Sequence, residues 1–143
     1  QDNSRLQVVL ADAEQEIKQP RWHGVVDALQ VDLYDQEAAG PVLDSADFYA
    51  NCRETLTEDG CMTVNLFGRS SSFDRSVDNM AKAFGKDALW AFKATREGNT
   101  VVLAQRTASR PTRSVLMERA DYIQRHWGLP AGKWVRVFKP VNL

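Results

Sequence analysis

The sequence predicts an α/β domain built on a mostly parallel sheet and closed near its C-terminus by an antiparallel hairpin. Three observations carry this expectation. Apolar stretches of strand length alternate with stretches whose apolar residues recur every three to four positions, in the order β-α-β-α-β-α-β-β-α. Alternation of that kind argues for parallel strands joined by helical crossovers. The last two strand-like stretches are joined through "REGN" at 96–99, too short for a crossover and suited to a tight reversal. Finally, 143 residues of which 43% are hydrophobic and 26% charged make one globular domain with one sizeable core, and a second domain does not fit.

Taken in order, "LQVVLAD" (6–12) reads as a short strand ending in an acid, and "AEQEIKQ" as a brief helix stopped by Pro20. "VVDALQVDLYD" (25–35) is apolar enough on both faces, Gln30 apart, for a central parallel strand. A Gly-Pro turn leads to 44–60, where Asp44 or Ser45 caps a helix with Phe48, Tyr49, Cys52 and Leu56 on one face, ended by Gly60. "CMTVNLF" (61–67) is the next strand. The run Ser70–Ser72 then caps a helix over 71–85 whose apolar side holds Phe73, Val77, Met80, Ala81 and Phe84. "ALWAFKAT" and "NTVVLAQR" form the hairpin. A last helix over 112–127 carries Val115, Leu116, Ala120, Ile123 and Trp127, and "KWVRVFKP" adds a final extended segment.

Bulk chemistry narrows the function classes. Net charge is −1 and the pI about 6.1, which offers neither a nucleic-acid groove nor affinity for an anionic membrane. No apolar run approaches the roughly 20 residues needed to span a bilayer, and "QDNSRLQ" has no apolar signal core. Cys52 and Cys61 read as buried free thiols of a cytoplasmic protein. With only His23 and His126 beside them, no metal site is expected. The four tryptophans are spread along the chain and read as packing residues.

Chemistry concentrates at strand tips. In open α/β sheets, ligands bind outside the carboxyl ends of the strands. Two strands end in acids here, one at Asp12 and one at Asp32 and Asp35, and Asn65 and Gly68 reach the same rim if the strands are parallel. A single acid at a strand end usually caps the next helix. Two carboxylates three residues apart repel each other and are most useful beside a cationic ligand, so a pocket for a positively charged molecule is expected.

These residues resemble a family. "VVLADAEQEI", then "VDALQVDLYD", a Gly-Pro, and "DFYANCRETLTEDGCMTVNL" are similar in order and spacing to the spermidine synthase-like aminopropyltransferases over roughly residues 6–106. The resemblance implies a Rossmann fold of the class I methyltransferase type. It also implies transfer of an aminopropyl group from decarboxylated S-adenosylmethionine, as co-substrate, to putrescine. Residue by residue, Asp12 would accept a hydrogen bond from the adenine amino group, with Ala13 as a backbone contact in the nucleoside site. Asp32 would be the catalytic acid that orients or deprotonates the attacking amine. Asp35 would hold a substrate ammonium, and Tyr34, between the acids, lines the pocket.

The chain also departs from the family pattern. No GxGxxG-like stretch precedes "LQVVLAD", and two strands that normally separate the Asp12 and Asp32 strands are missing. The whole of 1–143 is therefore expected to be a single C-terminal portion of such a domain, inactive alone, whose exposed sheet edges pair chains into a homo-oligomer. Leu33 and Tyr34 stand where the family has Ser-Ser, and "KATREGN" lacks the family loop's aromatic and prolines while adding Arg96. Two other readings fit the same fold: an S-adenosylmethionine-dependent methyltransferase, and a non-catalytic homologue that keeps the scaffold for binding.

Overall fold

The computed structural model describes residues 5–34, 43–67 and 71–142. Five strands, β1 (Val26–Val31), β2 (Leu56–Phe67), β3 (Leu89–Phe92), β4 (Asn99–Gln105) and β5 (Phe138–Pro140), form one sheet in the order β1-β2-β4-β3-β5. Around it lie α1 (Ala13–Glu16), α2 (Ala46–Thr55), α3 (Ser71–Phe84), α4 (Arg113–Trp127) and α5 (Ala131–Val135).

The sheet is mixed and mostly antiparallel, which corrects the expected parallel one. Only β1 and β2 pair in parallel; β2–β4, β3–β4 and β3–β5 are antiparallel. The hairpin causes the difference. β2 and β3, joined through α3, run in the same direction, as a helical crossover requires. The return strand β4 then inserts between them and hydrogen-bonds to both. A sequence shows that a hairpin reverses, but not into which slot of the sheet the second strand falls.

Three further corrections concern element boundaries. The strand expected over 6–12 does not form: Leu6 makes a single bridge and residues 7–12 join no ladder. Val8 is 67% and Leu10 104% exposed. The helix expected over 44–60 stops at Thr55, and Leu56 is already extended at φ −73°, ψ 142°. There the β1–β2 register jumps from Val26↔Leu56 to Ala28↔Cys61, so residues 57–60 bulge out of the ladder. Gly60 permits this, because a Cβ at that position would lie 2.8 Å from the Val26 carbonyl oxygen. The extended segment expected over 133–140 is divided between α5 and β5. The Val137 amide donates to Trp134 O at 3.0 Å, turning the chain before it can pair with β3.

The strand expected over 25–35 as a central one is β1, ends at Val31 and lies at the edge of the sheet among the described strands, with only β2 beside it; the remaining helices and the hairpin follow the expectation. Ser45 caps α2 by accepting from the Phe48 amide at 3.0 Å, and Thr112 caps α4 through the Val115 amide. Gly128, left-handed at φ 68°, ends α4. The Ser70 cap and the Gly-Pro turn at 40–41 lie outside the described residues. One face of the sheet carries Val31, Met62, Val64, Leu66, Leu89, Val102 and Ala104 against Phe48, Tyr49 and Cys52 of α2 and Val77, Met80 and Phe84 of α3. Spacing of two along the strands and of three to four along the helices brings these side chains into one core. At the far end, Trp90 stacks on Phe138 with ring centroids 4.9 Å apart, and Leu116 and Val135 line a hollow with them.

Candidate active site

Among the described strands, β1 and β2 are the parallel neighbours, and their carboxyl ends share a rim. In-register pairing of Val31 with Val64 makes Asp32 and Asn65 the next residues on the face opposite the core. Asn65 Nδ2 donates to Asp32 Oδ1 at 3.2 Å. Tyr34 folds back so that its hydroxyl donates to Asn65 O at 2.6 Å. Asp32 and Tyr34 are thus tied to the same residue of the neighbouring strand. Asp32 is exposed and makes no ion pair among the described residues. Its hydrogen-bond partner among the described residues is the neutral Asn65 amide. A carboxylate oriented but not neutralised has acceptor capacity left for an incoming ammonium or amine.

Behind this rim lies a polar network that sequence reasoning missed. Asp44, whose side chain is 9% exposed, accepts from Tyr49 Oη at 2.8 Å and from Arg75 Nε at 3.4 Å. Its carbonyl accepts from Asn79 Nδ2 at 2.8 Å. One aspartate therefore fastens the start of α2 to α3. Burial first, and then the bond to Asp44, push the Tyr49 phenol far above its ordinary pKa, and Tyr34 adds the smallest push. Asp44 looked like no more than a cap because its partners in α3, Arg75 and Asn79, are over thirty positions away. No local spacing signals such a contact.

Asp12 caps α1, its Oδ1 accepting from the Gln15 amide at 3.0 Å, and the second carboxylate oxygen is left for other donors. Ala13 lines a hollow of about 330 Å³ with Glu16, Ile17, Trp22, Val26, Leu29 and Thr55. Glu16 is held there by Arg21 and by Trp22 Nε1 at 2.8 Å, and the Arg21 bond foremost, then the Trp22 bond, hold its carboxyl below the ordinary value. The hollow faces the first residues of β1, while Asp32 follows its last. The Asp12–Ala13 pair and the Asp32–Tyr34 pair accordingly sit at different levels of that strand. Asp35 and Gly68 lie outside the described residues.

Both cysteines are free. Burial pushes the Cys52 thiol up to about 12 and raises Cys61 as well, so neither is poised as a nucleophile at neutral pH. Among the described residues no three His, Cys, Asp or Glu side chains group to hold a metal ion, and no helix is long and apolar enough to cross a membrane.

No protein-family model matches the chain. The polyamine aminopropyltransferase of Chromobacterium violaceum is 25% identical over 138 residues, covering 96% of this chain and 52% of the relative. That of Neisseria meningitidis serogroup A is 25% identical over 142 residues, 99% of this chain and 53% of the relative. The chain thus spans about half the length of the curated relatives it matches. Among solved structures, spermidine synthase from Thermotoga maritima superposes with a TM-score of 0.60 at 18% identity, covering 76% of this chain and 38% of the other. A spermidine synthase in complex with the transition-state analogue AdoDATO gives 0.57 at 16%, over 76% and 36%. A probable spermidine synthase from Corynebacterium glutamicum gives 0.59 at 16%, over 95% and 52%. Fold and sequence similarity point the same way.

Proposed function

We propose that this spermidine synthase-like chain carries the amine-activating side of an aminopropyl transfer, performed by the protein at its full natural length. The supporting observation is the Asp32–Asn65–Tyr34 chain of hydrogen bonds across the shared β1–β2 rim. The acceptor, a diamine such as putrescine, reaches the rim as an ammonium drawn by the uncompensated Asp32 charge. A protonated amine has no lone pair to donate. Asp32 accepts its proton as the nitrogen attacks the carbon bonded to the sulfonium of decarboxylated S-adenosylmethionine. The C–N bond forms while the C–S bond breaks. The sulfur departs neutral in methylthioadenosine, the positive charge passes to the nitrogen, and Asp32 releases the proton it took to solvent, which restores a carboxylate beside the new ammonium.

Asn65 fixes the Asp32 rotamer, and the short Tyr34 bond fixes the backbone of Asn65. Orientation of this kind contributes through positioning, because the attacking nitrogen must lie in line with the breaking bond. On the same reading Asp35 binds the ammonium at the far end of the diamine, and Asp12 uses its second oxygen for the adenine amino group beside Ala13. Two free thiols fit a reducing, cytoplasmic setting.

The test is product analysis with decarboxylated S-adenosylmethionine and putrescine. Release of methylthioadenosine is expected, with kcat falling about 10²–10⁴-fold in Asp32→Asn. Because Asp32 is exposed, that variant should melt like the parent. Release of S-adenosylhomocysteine from S-adenosylmethionine instead would replace this reading with methyl transfer. No turnover and no binding heat with either nucleoside would leave a scaffold without catalysis.

A further inference from the structure

Charge is unevenly placed along the chain. Residues 1–85 hold seven Lys and Arg against fifteen Asp and Glu, whereas 86–143 hold eleven against four. The acidic part carries the Asp32 rim. The basic part encloses a hollow of about 240 Å³ between the start of α4 and the β3–β5 pair. Trp90, Phe138, Pro111 and Pro140 give it flat apolar walls, and Arg113 and Lys139 give it charge. Trp90 is 4% exposed and its indole Nε1 donates to Ser109 O at 3.3 Å, so this wall is fixed. Through Leu103 and Thr63 the sheet sets Trp90 three strand spacings from β1, roughly 14 Å. The hollow is therefore separate from the rim.

The chain does not balance the charge it gathers there. Among the described residues no acid lines the hollow, and neither Arg113 nor Lys139 makes an ion pair. Arg110 lies over the Trp90 ring, 5.4 Å from its centroid, and brings a third cation to the same tryptophan. Asp87 answers that arginine from 3.9 Å with a side chain 75% exposed, where water screens the pair. Arg113 opens α4, whose first turn has no acid, although the helix dipole disfavours a cation at that end.

We infer that this hollow binds a small phosphate monoester with a flat apolar body, its phosphate held by Arg113 and Lys139 and its body laid against the ring and proline walls. A phosphate monoester is nearly a dianion at neutral pH and so matches two cations. The guanidinium of Arg113 offers paired donors to two phosphate oxygens, and Lys139 adds a point charge. Inorganic phosphate alone would leave the apolar walls wet, and an uncharged ring alone would leave both cations unanswered. The volume lies below the ~300–1,000 Å³ typical of sites for drug-sized ligands, which limits the occupant to fragment size. A Kd on the order of 0.1–1 mM is expected for so small a ligand.

Calorimetric titration of the full chain with phenyl phosphate tests this. Inorganic phosphate and benzyl alcohol, each carrying half of the ligand, should bind at least about tenfold more weakly than the ester. Arg113→Glu and Lys139→Glu should each weaken phenyl phosphate about tenfold or more. Both positions are exposed, so these variants should melt like the parent. Lys18→Glu makes the same change of charge beside β1, at the opposite edge of the sheet, and should leave the affinity within about twofold. No heat up to about 10 mM phenyl phosphate, inorganic phosphate binding as tightly as the ester, variants at 113 and 139 binding like the parent, or an equal loss in Lys18→Glu would each overturn the inference. Because the readout is binding, such a failure is distinct from a failure of the aminopropyl-transfer reading.

Discussion

Removing one oxygen from Tyr49 tests the network that supports the candidate site. Tyr49 is 0% exposed, and its hydroxyl lies 2.8 Å from Asp44 Oδ1. Tyr49→Phe leaves the ring, the volume and the packing against Phe48 intact, and deletes a single donor. Bonds to a charged partner contribute about 1.5–3 kcal/mol. Asp44 keeps Arg75 at 3.4 Å and has little contact with water, so a loss of about 2 kcal/mol is expected. For a chain of this length that corresponds to a fall of roughly 6 °C in Tm. Urea unfolding followed by tryptophan fluorescence measures it, and a double-mutant cycle with Asp44→Asn isolates the pair, for which a coupling of about 1–2 kcal/mol is expected.

The same substitution has a pH signature. A phenol whose pKa is raised by folding stays neutral in the folded chain while it ionises in the unfolded one. Its contribution is therefore present below the unfolded value near ~10 and is lost as pH rises beyond it. Tyr49→Phe should flatten that alkaline decline and leave the acid limb alone. Stability within about 0.5 kcal/mol of the parent at neutral pH, together with an unchanged alkaline limb, would refute the idea that the Tyr49 hydroxyl and Asp44 stabilise each other.

Two other perturbations probe the frame around the site. Gly60→Ala drives a methyl to within 2.8 Å of Val26 O and 3.0 Å of Thr57 O; backbone cannot move aside cheaply, so a loss of about 1–3 kcal/mol is expected by chemical denaturation. Under native conditions at pH 8 the buried Cys52 should resist a thiol-specific chromogenic reagent and Cys61 should react slowly, with both titrating at once in denaturant. Rapid reaction of two thiols in the folded protein would contradict the burial described.

Much of the helical architecture was legible because amphipathic periodicity is a local property. The spacing of Val77, Met80 and Phe84, and that of Val115, Leu116, Ala120 and Ile123, predict α3 and α4 nearly to the residue. What was illegible depends on partners far along the chain. Residues 6–10 have strand composition, yet apart from the single bridge at Leu6 they are not assigned to a strand. Thr55 to Gly60 continues a helical pattern, yet the approach of Gly60 to Val26 recruits the segment to the sheet. The acid at Asp32 was readable because a carboxylate after an apolar strand is conspicuous. The partnership of Asp44 with Arg75 and Asn79 was not, since it exists only once two helices are packed.

The inversion of the sheet also explains why the candidate site is where it is. Had β2 and β3 been neighbours, their carboxyl ends would have offered a second parallel rim. With β4 between them, the end of β2 is flanked on that side by the start of β4, where Phe67 pairs with Asn99. Among the described strands only the β1–β2 pair then presents two neighbouring ends pointing the same way, and the chain places Asp32, Tyr34 and Asn65 there. An acid at the tip of β4 or β5 would emerge at the opposite end of the sheet and could not join them. Strand direction, more than acid content, therefore selects which carboxylates can act on one substrate. By that criterion Asp32 is the described acid whose change to Asn should cost turnover while leaving the melting temperature in place.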